Sequence, residues 1–191
     1  MDEMNRLLLK PFKAILRWTY QVPPYPDPWE KDQSGPNLKM GVNFLRKDIP
    51  NDFRQFFQGD LSSNVRSLDE ICDWLRQCKY ISDQEQFHQK DHWQHPHEFE
   101  QSRKGDCEDH ALWAWRKLVE LGFEAEFVIG KKHAWVNFIK DGQLFLFETA
   151  SKGPLMWQPV NQVKDRYVPY WSINGKFQRF MFAGILENLK D

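Results

Sequence analysis

The sequence predicts an α+β protein in which helices come first and an antiparallel sheet follows. Apolar residues recur at helical spacing from Leu68 to Cys78 and again from Cys107 to Gly122. Beyond Phe123 they come in short strand-length runs, at 124–129, 133–139, 143–150, 167–173 and 176–182. Asp141-Gly142 and Asn174-Gly175 each stand between two such runs. Both dipeptides favour tight hairpins, and tight hairpins join antiparallel neighbours. Helices grouped before strands, rather than alternating with them, imply segregated layers.

The bulk properties narrow the class. A chain of 191 residues fits one domain with a substantial core. Its 41% hydrophobic and 28% charged residues are an ordinary soluble balance. A net charge of −1 gives no electrostatic reason to bind nucleic acid or an anionic membrane. Aromatics reach 15%, with nine Trp, so large rings must fill the core and some can line a groove. No apolar run is long enough to span a membrane, and Met1–Pro11 does not read as a secretory signal, since acids come first. Cys72 and Cys78 lie six apart in a predicted helix, about 9 Å of rise, too far for a disulfide. A reducing, cytoplasmic location is expected.

The N-terminal stretch, residues 1–66, reads as an extension packed on a core of residues 67–191, within one domain overall. Met4–Tyr20 suggests a short helix. Val22–Pro36 holds five prolines and reads as an extended strap held by Tyr25 and Trp29, or as a segment bordering a substrate groove. Phe44, Phe53, Phe56 and Phe57 are candidate anchors. Ser67-Leu68-Asp69-Glu70 is a capping box opening a helix whose buried face is Leu68, Ile71, Leu75 and Cys78; Cys72 and Cys78 read as core. His88, His92, His95 and His97 do not have zinc-site spacing. Pro96 breaks any helix shared by the last two, and Gln101 stands where His-Glu-x-x-His needs its second histidine. A partly packed loop is expected there.

The chemistry concentrates at Lys104-Gly105-Asp106-Cys107-Glu108-Asp109-His110. Asp106 is a good N-cap type, Glu108 and Asp109 are first-turn acids, and Cys107 falls at the start of the helix. Free N–H groups and the helix dipole there favour thiolate. A thiolate nucleophile needs a base, and His133 opens the strand-like run His133–Ile139. With Asp141 and Gly142 as the two loop residues, Lys140 pairs with Gln143, Ile139 with Leu144 and Asn137 with Leu146. His133 and Glu148 then become diagonal neighbours on one face, about 7–8 Å apart at Cβ. Asn137 is about 13 Å from His133 along the strand, too far to orient it.

Gly-Asp-Cys-Glu-Asp opening a helix, then His133-Ala134-Trp135-Val136 on a strand, then an acid on the next strand, resembles the transglutaminase-like superfamily, closest to its bacterial cysteine peptidases. Lys79–Asp83, Trp93–Glu98 and Tyr167–Gly175 also fit, and the resemblance covers about Ser67 to Phe182. It implies a papain/transglutaminase-like arrangement with the cysteine helix packed on the antiparallel sheet, and a catalytic triad of Cys107, His133 and Glu148. Glu148 stands where the family usually has aspartate. The implied activity is acyl transfer at an amide of a protein or peptide, by a thiol protease or amidase, a hydrolase. Transfer to an amine, as in a transglutaminase, and a non-catalytic peptide-binding module on the same fold remain alternatives. Relatives place a side chain from the region of Trp93 and Gln94 near the oxyanion. In some of them calcium is bound by acids that correspond to Asp106, Glu108 and Asp109, which otherwise only cap the helix. No other cofactor is implied.

Overall fold

The computed structural model describes residues 27–31 and 49–184, arranged as a six-stranded antiparallel sheet with the longer helices on one face and a single helical turn on the other. A 3-10 turn at Phe53–Phe57 buries Phe53 and Phe56. Helix α1, Leu68–Arg76, begins at Ser67, whose hydroxyl accepts the Glu70 N–H at 3.2 Å. Glu70 reaches back one residue further than a capping box requires, to the Arg66 N–H at 2.7 Å. The helix stops before Cys78, whose N–H bonds the Leu75 carbonyl. Cys72 and Cys78 are buried free thiols, and burial pushes both up to about 11.

Strand β1, Lys79–Tyr80, lies parallel to β2, Lys104–Gly105. Between them come α2, Asp83–Gln86, and α3, Pro96–Ser102. The second of these corrects the loop expected around His97. Pro96 occupies the first helical position, where its missing N–H removes no bond, so it starts a helix rather than preventing one.

Helix α4, Cys107–Glu120, is the central element: its residues from Cys107 to Leu118 are buried. Its two buried basic side chains are satisfied by backbone carbonyls of the preceding segments. Arg116 donates to the carbonyls of Phe56, Gln58 and Gly59, and Lys117 to that of Ser63. Trp74 of α1 stacks on Trp113 with ring centroids 3.9 Å apart.

The sheet comprises β3 (Ala125–Gly130), β4 (His133–Lys140), β5 (Gln143–Phe147), β6 (Trp157–Pro159), β7 (Pro169–Asn174) and β8 (Arg179–Met181). Their order is β6-β5-β4-β3-β7-β8, and every pair is antiparallel. Ala134, Val136 and Phe138 join the main core with Ala111, Leu112 and Trp115 of α4. Trp135 faces the other side, with Val128, Leu146, Val160 and Val163. Both faces of β4 are therefore covered, which is why its sequence is a nearly unbroken apolar run.

The first hairpin has the expected register, Lys140 opposite Gln143, Ile139 opposite Leu144 and Asn137 opposite Leu146. Asp141 and Gly142 both adopt positive φ, as a two-residue type I′ turn requires. The second hairpin departs from expectation. Its loop is three residues, 175–177, because Ile173 pairs with Arg179 and the Asn174 N–H bonds the Gln178 carbonyl at 3.1 Å. Phe177, not Gly175, takes positive φ, while Gly175 lies so close to Val119 that an added Cβ would approach it to 3.1 Å. β6 and the single turn α5, Val160–Val163, were not expected.

The described part of the strap lies on the sheet. Trp29 packs on Trp135 and Phe182 with ring centroids 6.2 Å from each, and Lys31 pairs with Glu126 at 2.6 Å. The readings placed on Met4–Tyr20, Tyr25 and Phe44 lie outside the described residues. Among the described residues, no helix is long and apolar enough to cross a membrane.

Candidate functional site

The start of α4 is built from three separate segments. Asp109, one turn in, reaches back to the Asp106 N–H at 3.2 Å and also takes two bonds from Gln94, from its backbone N–H at 2.9 Å and its amide at 2.6 Å. The other amide N–H of Gln94 goes to the Lys104 carbonyl at 2.9 Å. Gly105 fits between these groups. A Cβ there would stand 2.4 Å from Asp109 Oδ2 and 2.8 Å from Gln94 Nε2, so only glycine allows this approach.

Gln94 is thus a strut under the helix start, and with both amide hydrogens committed it has no donor left for an oxyanion. Trp93 packs among Phe53, Phe56 and Phe127. Neither shows the free polar group that the oxyanion role requires. His95 caps α3, its Nδ1 accepting from the His97 N–H, while its Nε2–H meets the Gln55 carbonyl at 2.9 Å.

Cys107 lies at the first turn of α4, as its spacing predicts, but its electrostatics are reversed from the sequence reading. Its sulfur is buried and donates to Glu108 Oε2 at 3.0 Å. Burial, then the charges of Glu108 and Asp106, push the thiol far up. The Ala134 N–H facing the sulfur pulls the other way and is outweighed. The helix dipole contributes at most ~2 kcal/mol, whereas desolvating an anion beside further anions costs several.

His133 Nε2 and Glu148 Oε2 are 2.7 Å apart. A carboxylate only accepts, so Nε2 carries a proton, and in the neutral imidazole the lone pair is then on Nδ1. The same Oε2 accepts the Tyr167 hydroxyl at 3.0 Å, and Oε1 receives a long bond, 3.4 Å, from the Ala150 N–H. The β4–β5 ladder ends at Val136–Phe147, so Glu148 meets His133 from just beyond the strand. Among the described residues no hydrogen bond joins Cys107 to His133. The sulfur nevertheless faces the N–H of the residue that follows His133.

Around Cys107 five carboxylates converge. Ligand oxygens of Asp83, Asp106 and Asp109 lie within 4.8 Å of one another, as do those of Asp83, Asp91 and Glu108. Asp106 Oδ1 and Glu108 Oε1 are buried without a hydrogen-bond partner. Asp109 is pushed up to about 8 by burial and then by Asp106. Burial and the facing Glu108 hold Asp106 well above the usual carboxylate range. An all-oxygen, partly unsatisfied set of carboxyl groups, held above their usual range by burial and by one another, suits a hard cation such as calcium, which would favour their ionised forms. Sequence reading identified Asp106, Glu108 and Asp109. It gave no role to Asp83 and Asp91, although Asp83 ends one of the stretches that carry the resemblance. Tyr167 and the buried His110, whose Nδ1–H donates to the Asp106 carbonyl at 2.7 Å, were also given no part in the site.

No model of a known protein family matches the chain. Centrosomal protein of 76 kDa from Mus musculus is 35% identical over 95 residues, 42% of this chain. The chain spans about 14% of that protein's length. Among solved structures the chain is similar to Legionella pneumophila LapG. The calcium-bound form gives a TM-score of 0.46 at 20% identity, covering 61% of this chain and 67% of that one. The EGTA-treated form gives 0.46 at 20%, covering 56% and 62%.

Proposed function

We propose that the chain catalyses cysteine-dependent acyl transfer at an amide bond of a protein or peptide, with water as the second nucleophile. The observation that carries this reading is the 2.7 Å His133–Glu148 bond, which leaves Nδ1 basic next to the residue whose N–H faces the Cys107 sulfur. In this mechanism His133 Nδ1 takes the thiol proton and Cys107 sulfur attacks the amide carbonyl. The Cys107 N–H, at the start of α4, stabilises the oxyanion. His133 returns the proton to the leaving amine. Water, deprotonated by His133, then releases the acid from the thioester. Glu148 holds the tautomer and the imidazolium throughout. An amine in place of water would make the same thioester a transamidation intermediate.

Calcium fits the carboxylates Asp106, Glu108 and Asp109, with Asp83 and Asp91 beside them. When bound it would supply positive charge to the groups that now hold the thiol protonated. The Cys107–Glu108 bond favours a second reading, a non-catalytic peptide-binding module.

Iodoacetamide labelling of Cys107 at pH 7, in calcium and in chelator, separates the two. The catalytic reading expects alkylation faster than free cysteine in calcium, slowed by chelator and by His133→Ala. Slow labelling that neither change alters would leave the binding module.

A further inference from the structure

The geometry points to Tyr167 as a positioning residue for the His133–Glu148 pair, itself anchored by Trp29 of the N-terminal strap. The inference rests on the acyl-transfer reading for its consequence, though not for its geometry. Glutamate has one more rotatable bond than aspartate, so a glutamate that orients a histidine needs a second restraint. Tyr167 supplies one: its hydroxyl and His133 Nε2 meet the same oxygen, Oε2, at 3.0 and 2.7 Å. The other oxygen has only the 3.4 Å contact with the Ala150 N–H. Without the hydroxyl, Glu148 is free to rotate, and the imidazole can then carry its proton on either nitrogen. Only the form protonated at Nε2 presents a basic Nδ1 to the thiol.

Tyr167 is itself fixed from three sides. Its ring packs edge-on against Trp135, centroids 5.4 Å apart, and lies 6.2 Å from the His133 ring. Its backbone carbonyl accepts the Trp29 indole N–H at 2.9 Å, and the Lys164 carbonyl shares that N–H at 3.1 Å. Trp29 is held in turn by the Asp27 carboxylate, which accepts its backbone N–H at 3.0 Å and the Lys164 ammonium at 2.9 Å. Burial and the facing Glu148 raise the phenol to about 12, so it stays a donor over the working pH range. A segment about a hundred residues upstream of the histidine thus reaches it through Trp29, Tyr167 and Glu148.

The test is Tyr167→Phe in protein labelled with 15N-histidine. The wild type should show His133 as the tautomer protonated at Nε2. The variant should melt like wild type and give a tautomer mixture, with Cys107 alkylation in calcium about tenfold slower, the worth of one hydrogen bond to a charged group. Trp29→Phe, which deletes the anchoring N–H but keeps an aromatic ring at the position, should move both readouts the same way by less. It also serves if Tyr167→Phe does not fold. An unchanged tautomer in the variants overturns the proposal, whatever the alkylation rate. A shifted tautomer with an unchanged rate retains the positioning role and removes the acyl-transfer reading instead.

Discussion

Glu148→Gln isolates charge from shape. The amide can present its oxygen to His133 Nε2 and to the Tyr167 hydroxyl at nearly the distances of the acid, 2.7 and 3.0 Å, so the fold should survive. What disappears is the negative charge that stabilises the imidazolium once the thiol proton has moved. At about 4 Å between charge centres and an effective dielectric near 20, that attraction is about 4 kcal/mol. The side chains of His133 and Glu148 are 31% and 20% exposed, and the water they see reduces the figure to ~2–3 kcal/mol. A loss of that size slows the reaction by roughly 30- to 150-fold. The assay is the pseudo-first-order alkylation of Cys107 by iodoacetamide at pH 7 in calcium, with the thermal melt as a control for folding. Glu148→Asp keeps the charge but withdraws the oxygens by about one C–C bond, ~1.5 Å. It should fall between wild type and Gln. Equal rates for all three, with intact melts, would refute the reasoning and leave at most a Cys107–His133 dyad.

Gly105→Ala should destabilise the protein by ~1–3 kcal/mol, read from denaturant unfolding, because the new methyl must displace the Asp109 carboxylate or the Gln94 amide. A wild-type midpoint would show that the helix start tolerates side-chain bulk. The acid cluster makes stability in chelator depend on pH. Asp109 is raised to about 8 in the fold, so its contribution is fully present below 3.8 and is lost as pH climbs through 8. His110 runs oppositely: lowered to about 4 by burial, it adds stability as pH rises from 4 to 6.5 and nothing beyond. Between pH 6.5 and 8 the acids act alone, so melting temperature in EGTA should fall across that window and calcium should flatten the slope. A flat profile in EGTA would contradict the electrostatics described for α4.

Some of this was legible in one dimension, because local rules govern it. The α4 start follows from Asp106, Cys107 and the i, i+4 apolar series. The β4–β5 register follows from the Asp141-Gly142 turn and the two-residue period of a strand, and together these were enough to point from His133 to Glu148. The Asn174-Gly175 reading failed on a tertiary contact. Val119 presses on Gly175, the chain turns at Phe177, and a local preference gave way to packing. The α3 helix was missed because Pro96 reads as a breaker until its position within the helix is known.

What no local rule contains is convergence. Asp83 and Asp91 join Glu108 only because α2 and the chain after it fold over the start of α4. Tyr167 and Trp29 join Glu148 only because the turn before β7 lies against the strap. The sign of the perturbation at Cys107 was decided in the same way. A helix N-terminus by itself favours thiolate, but that field is weak and falls off within a turn. Burial beside several carboxylates acts more strongly in the opposite direction, and burial is a property of the assembled fold, absent from the sequence around the cysteine.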